Sequence, residues 1–170
     1  MNVPVTVNGV TVEIPVEDAV IEAAIKTKKK TGYERFKIGD AYYYVQNNGQ
    51  VAFGVDNDTP IDNERRDTAN FYSSLTVAKA NARADALMRQ LRCFAAEHGG
   101  CVPAHKNGFE ITYKREVQKL ETYEAMFYST FGAVRFSRRE IADEAIEQYR
   151  DELLWYFTEY DPMPKGWWDD

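Results

Sequence analysis

Residues 71–100, FYSSLTVAKANARADALMRQLRCFAAEHGG, carry the strongest helical pattern in the chain. Two serines stand just before the pattern as candidate N-caps, and the pair Gly99-Gly100 closes it. Between these ends, apolar residues recur at the spacing of one helix face, at Val77, Ala84, Met88, Leu91 and Ala95. The stretch therefore predicts a long amphipathic helix that packs its apolar face on the rest of the chain.

The part of the chain before this helix is dominated by strand and turn signals. Valines alternate with other residues on both sides of Asn8-Gly9, which is the usual two-residue turn of a β-hairpin. Residues 16–30 then read as a helix, and residues 33–55 as a meander of three antiparallel strands. The acid-rich segment 56–67 has no apolar periodicity, so we predict a polar loop there.

Further strands and one more helix follow residue 100. Residues 109–114 and the region 120–136 read as strands. Ser137 and Glu140 have the spacing of a capping box, which predicts the start of a last helix. The apolar stripe of that helix consists of Ile141, Ala145, Tyr149, Leu153, Tyr156 and Tyr160.

Together these elements predict an α+β fold. It comprises an N-terminal β-hairpin and helix, an antiparallel meander, and two strand–helix units that pack long helices on an antiparallel sheet. The polar segment separates an N-terminal module, residues 1–67, from the two β–α units with their acidic C-terminal helix and tail, residues 68–170. Tyr72-Ser73 and Phe136-Ser137 stand 64 residues apart as a weak repeat. The repeat indicates either two related β–α units or no relation at all, since many strand-to-helix junctions contain the same types of residue.

Composition limits the class of protein. The chain has 170 residues, of which 44% are hydrophobic and 28% charged, as is usual for a globular domain. No apolar run is long enough to cross a bilayer, and the N-terminus lacks the basic start and apolar core of a signal peptide. Two cysteines are too few for a disulfide framework, so a reducing cytoplasm is the expected compartment.

Neither a catalytic motif nor a cofactor motif occurs in the sequence, so we expect no enzyme and no cofactor. Two cysteines and two histidines do cluster, at Cys93, His98, Cys101 and His105. They could hold zinc or simply mark a helix end. The second reading is favoured, because Cys93 and His98 are about 140° apart around a helix. A calcium loop at residues 56–67 is disfavoured by Pro60 and by Ile61, which stands where such a loop needs glycine.

The net charge of −6 lies entirely in the last 34 residues, which contain four basic and ten acidic residues. Five acids of the last helix fall on one arc that faces away from the apolar stripe, with Trp155 on the same side. We call them the acidic ladder: Glu140, Asp143, Glu144, Glu147 and Asp151. Like charges at these spacings destabilise a helix. The ladder is either a solvated helix face or a docking surface for a basic partner, with Trp155 as the main contact residue.

A second surface pattern is basic and aromatic, at Lys26, Lys28, Lys29, Lys30, Arg35, Lys37 and the run Tyr42-Tyr43-Tyr44. Such a pattern suits the stacking of single-stranded nucleic acid. Neighbouring tyrosines of a strand face opposite sides, however, so at least one face belongs to the core. Specific binding of duplex DNA is not expected, because residues 1–136 are neutral and the remainder is acidic.

From Phe71 to Tyr160 the sequence resembles a family of small proteins encoded by phages and prophages of Gram-positive bacteria. The resemblance rests on the stretch 71–100, on FEITYK, and on VRFSRREIADEAIEQYRDELLWYF. It implies a phage origin and places the chain near accessory proteins, the class to which type II anti-CRISPR proteins belong. Cys101, His105 and residues 1–67 fall outside the shared pattern.

A phage origin and an acidic surface without catalytic motifs favour stoichiometric binding over turnover. The expected function is that of an anti-defence protein in the host cell cytoplasm. It would bind a Cas9-type nuclease, or its guide-RNA complex, and compete with nucleic acid for Lys/Arg-lined channels. The alternative is a phage accessory protein that binds single-stranded nucleic acid through residues 26–44. No membrane partner is expected, and a homodimer is compatible with either function.

Overall fold

The fold was obtained as a computed structural model, which describes residues 2–7, 10–15, 30–103, 105–126 and 132–164. In these residues the strands pair as three separate antiparallel hairpins, and the α+β fold class is confirmed. The order of elements is β1 Asn2–Val7, β2 Val10–Pro15, β3 Ala41–Val45, β4 Val51–Val55, α1 Pro60–Asp67, α2 Leu75–Glu97, β5 Gly108–Lys114, β6 Lys119–Ala125, α3 Arg139–Gln148 and α4 Arg150–Thr158.

The N-terminal hairpin forms as the alternating valines predict. β1 and β2 pair in a register that aligns Val7 with Val10, so two residues connect the strands. The helix predicted at residues 16–30 falls almost wholly outside the described residues, which resume at Lys30.

β3 and β4 form a two-stranded hairpin, so the predicted meander of three strands is wrong. The outer edge of β3 is already occupied. Tyr43 and Tyr72 exchange two backbone hydrogen bonds of 2.8 Å, and the Asn70 side chain bonds both backbone groups of Val45. Residues 33–38 therefore find no strand to pair with on that side.

Those residues contribute side chains instead of a strand. The Phe36 ring lies 5.1 Å from the ring of Tyr42 and 5.3 Å from that of Phe71, and the Tyr33 ring lies 5.1 Å from that of Tyr72. Tyr33 and Phe36 are aromatic because their rings pack against the hairpin, and not because they belong to a strand of it.

Residues 60–67 form helix α1 where the sequence predicted a polar loop. The Thr59 hydroxyl accepts a hydrogen bond from the backbone N–H of Asp62, whose carboxylate accepts one from the backbone N–H of Thr59. This is a capping box with Asp in place of Glu, and Pro60 suits the first turn. The prediction failed because α1 buries a carboxylate, Asp62, and has no apolar stripe to reveal it.

Helix α2 follows the prediction and links two cores. It begins after Ser74, whose hydroxyl accepts from the Val77 N–H. Its first turns bury Val77 and Ala78 together with Tyr72 against β3 and β4. Its second half buries a longer row in the larger core with β6, α3 and α4: Leu87, Leu91, Phe94 and Ala95.

The repeat at Tyr72 and Phe136 corresponds to a repeated arrangement of backbone. Tyr72 bridges Tyr43 of β3, and Phe136 bridges Phe109 of β5, each in antiparallel sense. In both cases a hairpin is followed by an aromatic residue that pairs with its first strand, and then by a helix that packs on that hairpin. We call this arrangement the hairpin–bridge–helix unit.

The C-terminal helix differs from the prediction in two ways. It begins at Arg139 with Arg138 as N-cap and no side-chain cap, so Ser137 and Glu140 form no capping box. The bridge of Phe136 to Phe109 and Cys101 keeps the preceding chain extended, which delays the start of the helix.

The predicted single helix is also divided into α3 and α4 at Tyr149, whose φ of −112° and ψ of 23° interrupt the helical path. The Tyr149 ring packs edge-on against Phe94, 5.9 Å away, while Leu153 is fully buried in the larger core. Packing on both sides of the break outweighs the helical pattern, which runs through it without interruption.

Candidate functional site

Four acids of the predicted ladder form one exposed surface on α3. We call Glu140, Asp143, Glu144 and Glu147 the acidic surface; all four are exposed and together line a shallow groove. Helix α3 presents them outward because its other face buries apolar residues in the larger core, namely Ile141, Ala142, Ala145 and Ile146.

The four carboxylates differ in how far neighbouring groups compensate them. Asp143 accepts a 2.6 Å hydrogen bond from the Thr122 hydroxyl of β6, and Glu147 pairs with Arg150. Among the described residues, none forms a hydrogen bond or an ion pair with the side chain of Glu140 or Glu144. The nearby Arg139 guanidinium donates instead to the Thr122 carbonyl. Negative charge without a side-chain partner among the described residues is therefore concentrated at Glu140 and Glu144.

The helix break removes two residues from the predicted constellation. Asp151 lies in the first turn of α4 and does not line the groove with the four acids of α3. Trp155 is also on α4 and is half-buried: the Arg83 guanidinium carbon lies 3.9 Å from its ring centre, and the Tyr160 ring lies 5.5 Å away. The predicted ladder of five acids with Trp155 on one helix is therefore wrong as a geometric unit.

The cysteines and histidines have separate local partners. Cys93 donates to the Glu97 carboxylate, Cys101 to the Arg92 carbonyl, and the His98 ring stacks on Phe94 at 4.0 Å. Helix α2 continues through Cys93 to Glu97, as the 140° argument assumed. In the described ranges no group of three His, Cys, Asp or Glu residues is placed to hold a metal ion.

Three of the five acids of segment 56–67 are likewise engaged within the protein, whereas Glu64 and Asp67 are exposed. Asp56 is buried and pairs with Arg66, which also bonds Asp58 at 2.8 Å. Asp62 accepts a 2.6 Å hydrogen bond from the Tyr42 hydroxyl. These carboxylates stabilise α1 and its hairpin and do not converge on a common centre.

The tyrosine run of the basic and aromatic pattern is largely structural. Tyr42 is only 2% exposed and stacks on Phe36, and Tyr44 is covered by the Arg65 guanidinium, 3.5 Å from its ring centre. The expectation that one face of the run belongs to the core is confirmed by Tyr42. Lys26, Lys28 and Lys29 lie outside the described residues.

A cavity of about 580 Å³ between α2, β5 and α4 was not anticipated from the sequence. Its walls are mainly apolar, and a buried ion pair borders it: Arg135 donates to the Glu110 carboxylate at 2.8 Å, and Tyr123 donates to its other oxygen at 3.1 Å. The Glu110 carboxylate is thus already bonded on both oxygens, which leaves it poorly suited to act as a base. No sequence signal links Glu110 to Arg135 across 25 positions.

Comparison with known protein families, curated proteins and solved structures finds no match to this chain. The resemblance to phage-encoded proteins therefore stays a prediction, as do the partner and the compartment. None of the described helices is both long and apolar enough to span a membrane.

Proposed function

We propose that the protein is a stoichiometric inhibitor that docks the acidic surface of α3 on a Lys/Arg-lined nucleic-acid channel. The target class is a phage-restricting nuclease of the host, of the Cas9 type, in which positively charged channels hold the guide–target duplex. By occupying such a channel, the acidic surface competes with nucleic acid without any chemical step. Action in the host cytoplasm belongs to the same proposal.

The observation that carries this proposal is the pair of exposed carboxylates Glu140 and Glu144, which have no side-chain partner among the described residues. They stand four residues apart on one helix face, where like charges cost a few tenths of a kcal/mol. A concentrated field of one sign accelerates encounter with an oppositely charged surface and fixes the orientation of docking.

The test measures inhibition of target cleavage by a Cas9–guide complex as the protein is titrated. The variant Glu140→Lys/Glu144→Lys should weaken inhibition by at least about tenfold, because like charges facing each other across an interface cost several kcal/mol. Both side chains are exposed, so folding should be intact, which is checked by a cooperative thermal transition close to that of the parent. Inhibition by the parent protein should also weaken as salt is added.

A matched control distinguishes the effect of the acidic surface from the effect of a change in net charge. Glu64→Lys/Asp67→Lys makes the same charge change at two exposed positions of α1 and should inhibit like the parent. If the α3 variant inhibits as well as the parent, or both variants lose activity equally, the acidic surface is not the docking site.

A further inference from the structure

Among the described residues, the outer edge of β4 differs from the three other outer strand edges of the second and third hairpins. In an antiparallel ladder, alternate residues direct their backbone N–H and C=O groups outward. Gln46 bonds Gln50 and Asp56 bonds Asp40, so the even-numbered residues pair β3 with β4. Val51, Phe53 and Val55 therefore direct their backbone groups away from β3.

Three of these four edges are capped or charged. β3 is capped by Tyr72 and Asn70, and β5 by Phe136. On β6 the outward carbonyl of Thr122 accepts a 2.9 Å hydrogen bond from Arg139, and charged side chains punctuate the strand: Lys119, Glu121 and Glu124. Capping and charge are the usual means by which proteins prevent edge strands from pairing with other chains.

The edge of β4 has almost none of this protection. Within the described part of the chain, the outward backbone groups of Val51 and Phe53 have no hydrogen-bond partner, and the Val55 carbonyl has only the Asn57 side chain at 3.2 Å. Residues 41–55 contain no charge at all. Phe53 is 64% exposed on the same face as its cross-strand neighbour Tyr43, which packs inward against the smaller core.

We propose that β4 is a dimerisation strand that pairs antiparallel with β4 of a second copy of this chain. A two-fold axis at Phe53 aligns Phe53 with its own counterpart and Val51 with Val55, and all three are outward residues. Each aligned pair then exchanges two hydrogen bonds at a Cα separation of about 5.5 Å. Tyr43 and Phe53 of one copy then lie in one row with Phe53 and Tyr43 of the other copy, on one face of the joined sheet. The pairing buries no charged side chain.

A strand of five residues makes a small interface, so the dimer is expected to be weak and concentration-dependent. This property makes it measurable in the intact protein. Sedimentation velocity over a range of concentrations should show a monomer–dimer equilibrium for the parent.

Two variants test the geometry. Phe53→Lys places two ammonium groups opposite each other and should raise the dimer dissociation constant by roughly tenfold or more. Val117→Lys is the matched control: Val117 is also 64% exposed, but it lies in the turn between β5 and β6. Val117→Lys should dimerise like the parent.

Hydrogen exchange of the unmodified protein gives an independent readout. Protection of the Val51, Phe53 and Val55 amides should increase with protein concentration. The Ala52 and Gly54 amides face β3 and should be unaffected. The proposal fails if the parent stays monomeric up to millimolar concentration, if both lysine variants weaken the dimer equally, or if all five amides respond alike. A strand from another protein would then be the remaining occupant.

Discussion

Asp62 is a buried carboxylate that connects two elements. It accepts hydrogen bonds from the backbone and hydroxyl of Thr59 and from the hydroxyl of Tyr42, which in turn accepts a 2.6 Å hydrogen bond from Arg65. These bonds favour the ionised form, so the hydroxyls of Thr59 and Tyr42 hold the pKa of Asp62 well below its usual range. The residue thus ties α1 to β3 through one charge.

The first prediction follows from that depressed pKa. The ionised carboxylate stabilises the fold fully above its unfolded pKa of about 3.8, and this contribution is lost as the pH falls further. Asp62→Asn should lower the melting temperature at pH 7 and reduce the difference in melting temperature between pH 7 and pH 3. Asp67→Asn, at an exposed position of α1, is the control. An unchanged pH dependence in Asp62→Asn would contradict the assignment.

The second prediction concerns the buried ion pair of Glu110 and Arg135. The two side chains are 3% and 5% exposed, so removal of one charge strands the other in the interior. Glu110→Gln should cost about 3 kcal/mol of unfolding free energy, measured by urea denaturation. Glu121→Gln, which breaks the partly exposed pair with Lys114, should cost less than about 1 kcal/mol. Equal costs for the two variants would show that the buried pair is not a special stabilising contact.

Between elements, the contact of α4 with α2 depends on Trp155 and Arg83. The Arg83 guanidinium covers the Trp155 ring and also pairs with Glu152 at 2.7 Å, which raises the pKa of Arg83 through that hydrogen bond. The described contacts of Trp155 therefore hold α4 on α2. The sequence had instead predicted a role for Trp155 in partner binding.

The third prediction is a coupling between these side chains. Trp155→Ala should destabilise the protein by roughly 2 kcal/mol, because it removes a half-buried ring. In a double-mutant cycle with Arg83→Ala, the interaction energy should be about 0.5–1 kcal/mol. A cycle that closes at zero would mean that the cation and the ring do not interact in solution.

Periodicity determined which elements were predictable. α2 was recognised because its buried residues are apolar and regularly spaced, and the exposed side of α3 followed from the same logic. α1 was missed because its buried residue is Asp62. The break at Tyr149 was missed because the four-residue spacing of Ala145, Tyr149 and Leu153 continues across it. The Glu110–Arg135 pair joins residues from different elements, so no local pattern marks it.

Across the whole molecule, the two hairpin–bridge–helix units differ in the size of their cores. Among the residues that the structure describes, the core of the first unit buries Tyr72, Val77 and Ala78, whereas the core around α3 and α4 buries twelve residues. Local stability follows the density of buried apolar contacts. The first unit should therefore open at a lower free energy than the second.

The fourth prediction tests this difference by native-state hydrogen exchange. Inward amides of β3 and β4 should exchange faster than those of β5 and β6. Val77→Ala should lower the protection of β3 and β4 selectively, because Val77 is buried only in the smaller core. Leu87→Ala, in the larger core, should lower protection across β5, β6 and α3. Uniform loss of protection in both variants would indicate one cooperative unit.

If β4 joins two copies and the acidic surface docks on a target, as proposed above, the edge of β4 also affects how tightly the protein holds that target. Two chains joined along β4 carry two acidic surfaces, held at a fixed distance by folded elements rather than by a linker. Once the first surface has docked, the second searches only the volume that this distance allows, so its effective concentration is high. Such a bivalent inhibitor would select targets with two basic sites at the matching separation. Its apparent affinity would fall steeply when dilution separates the copies.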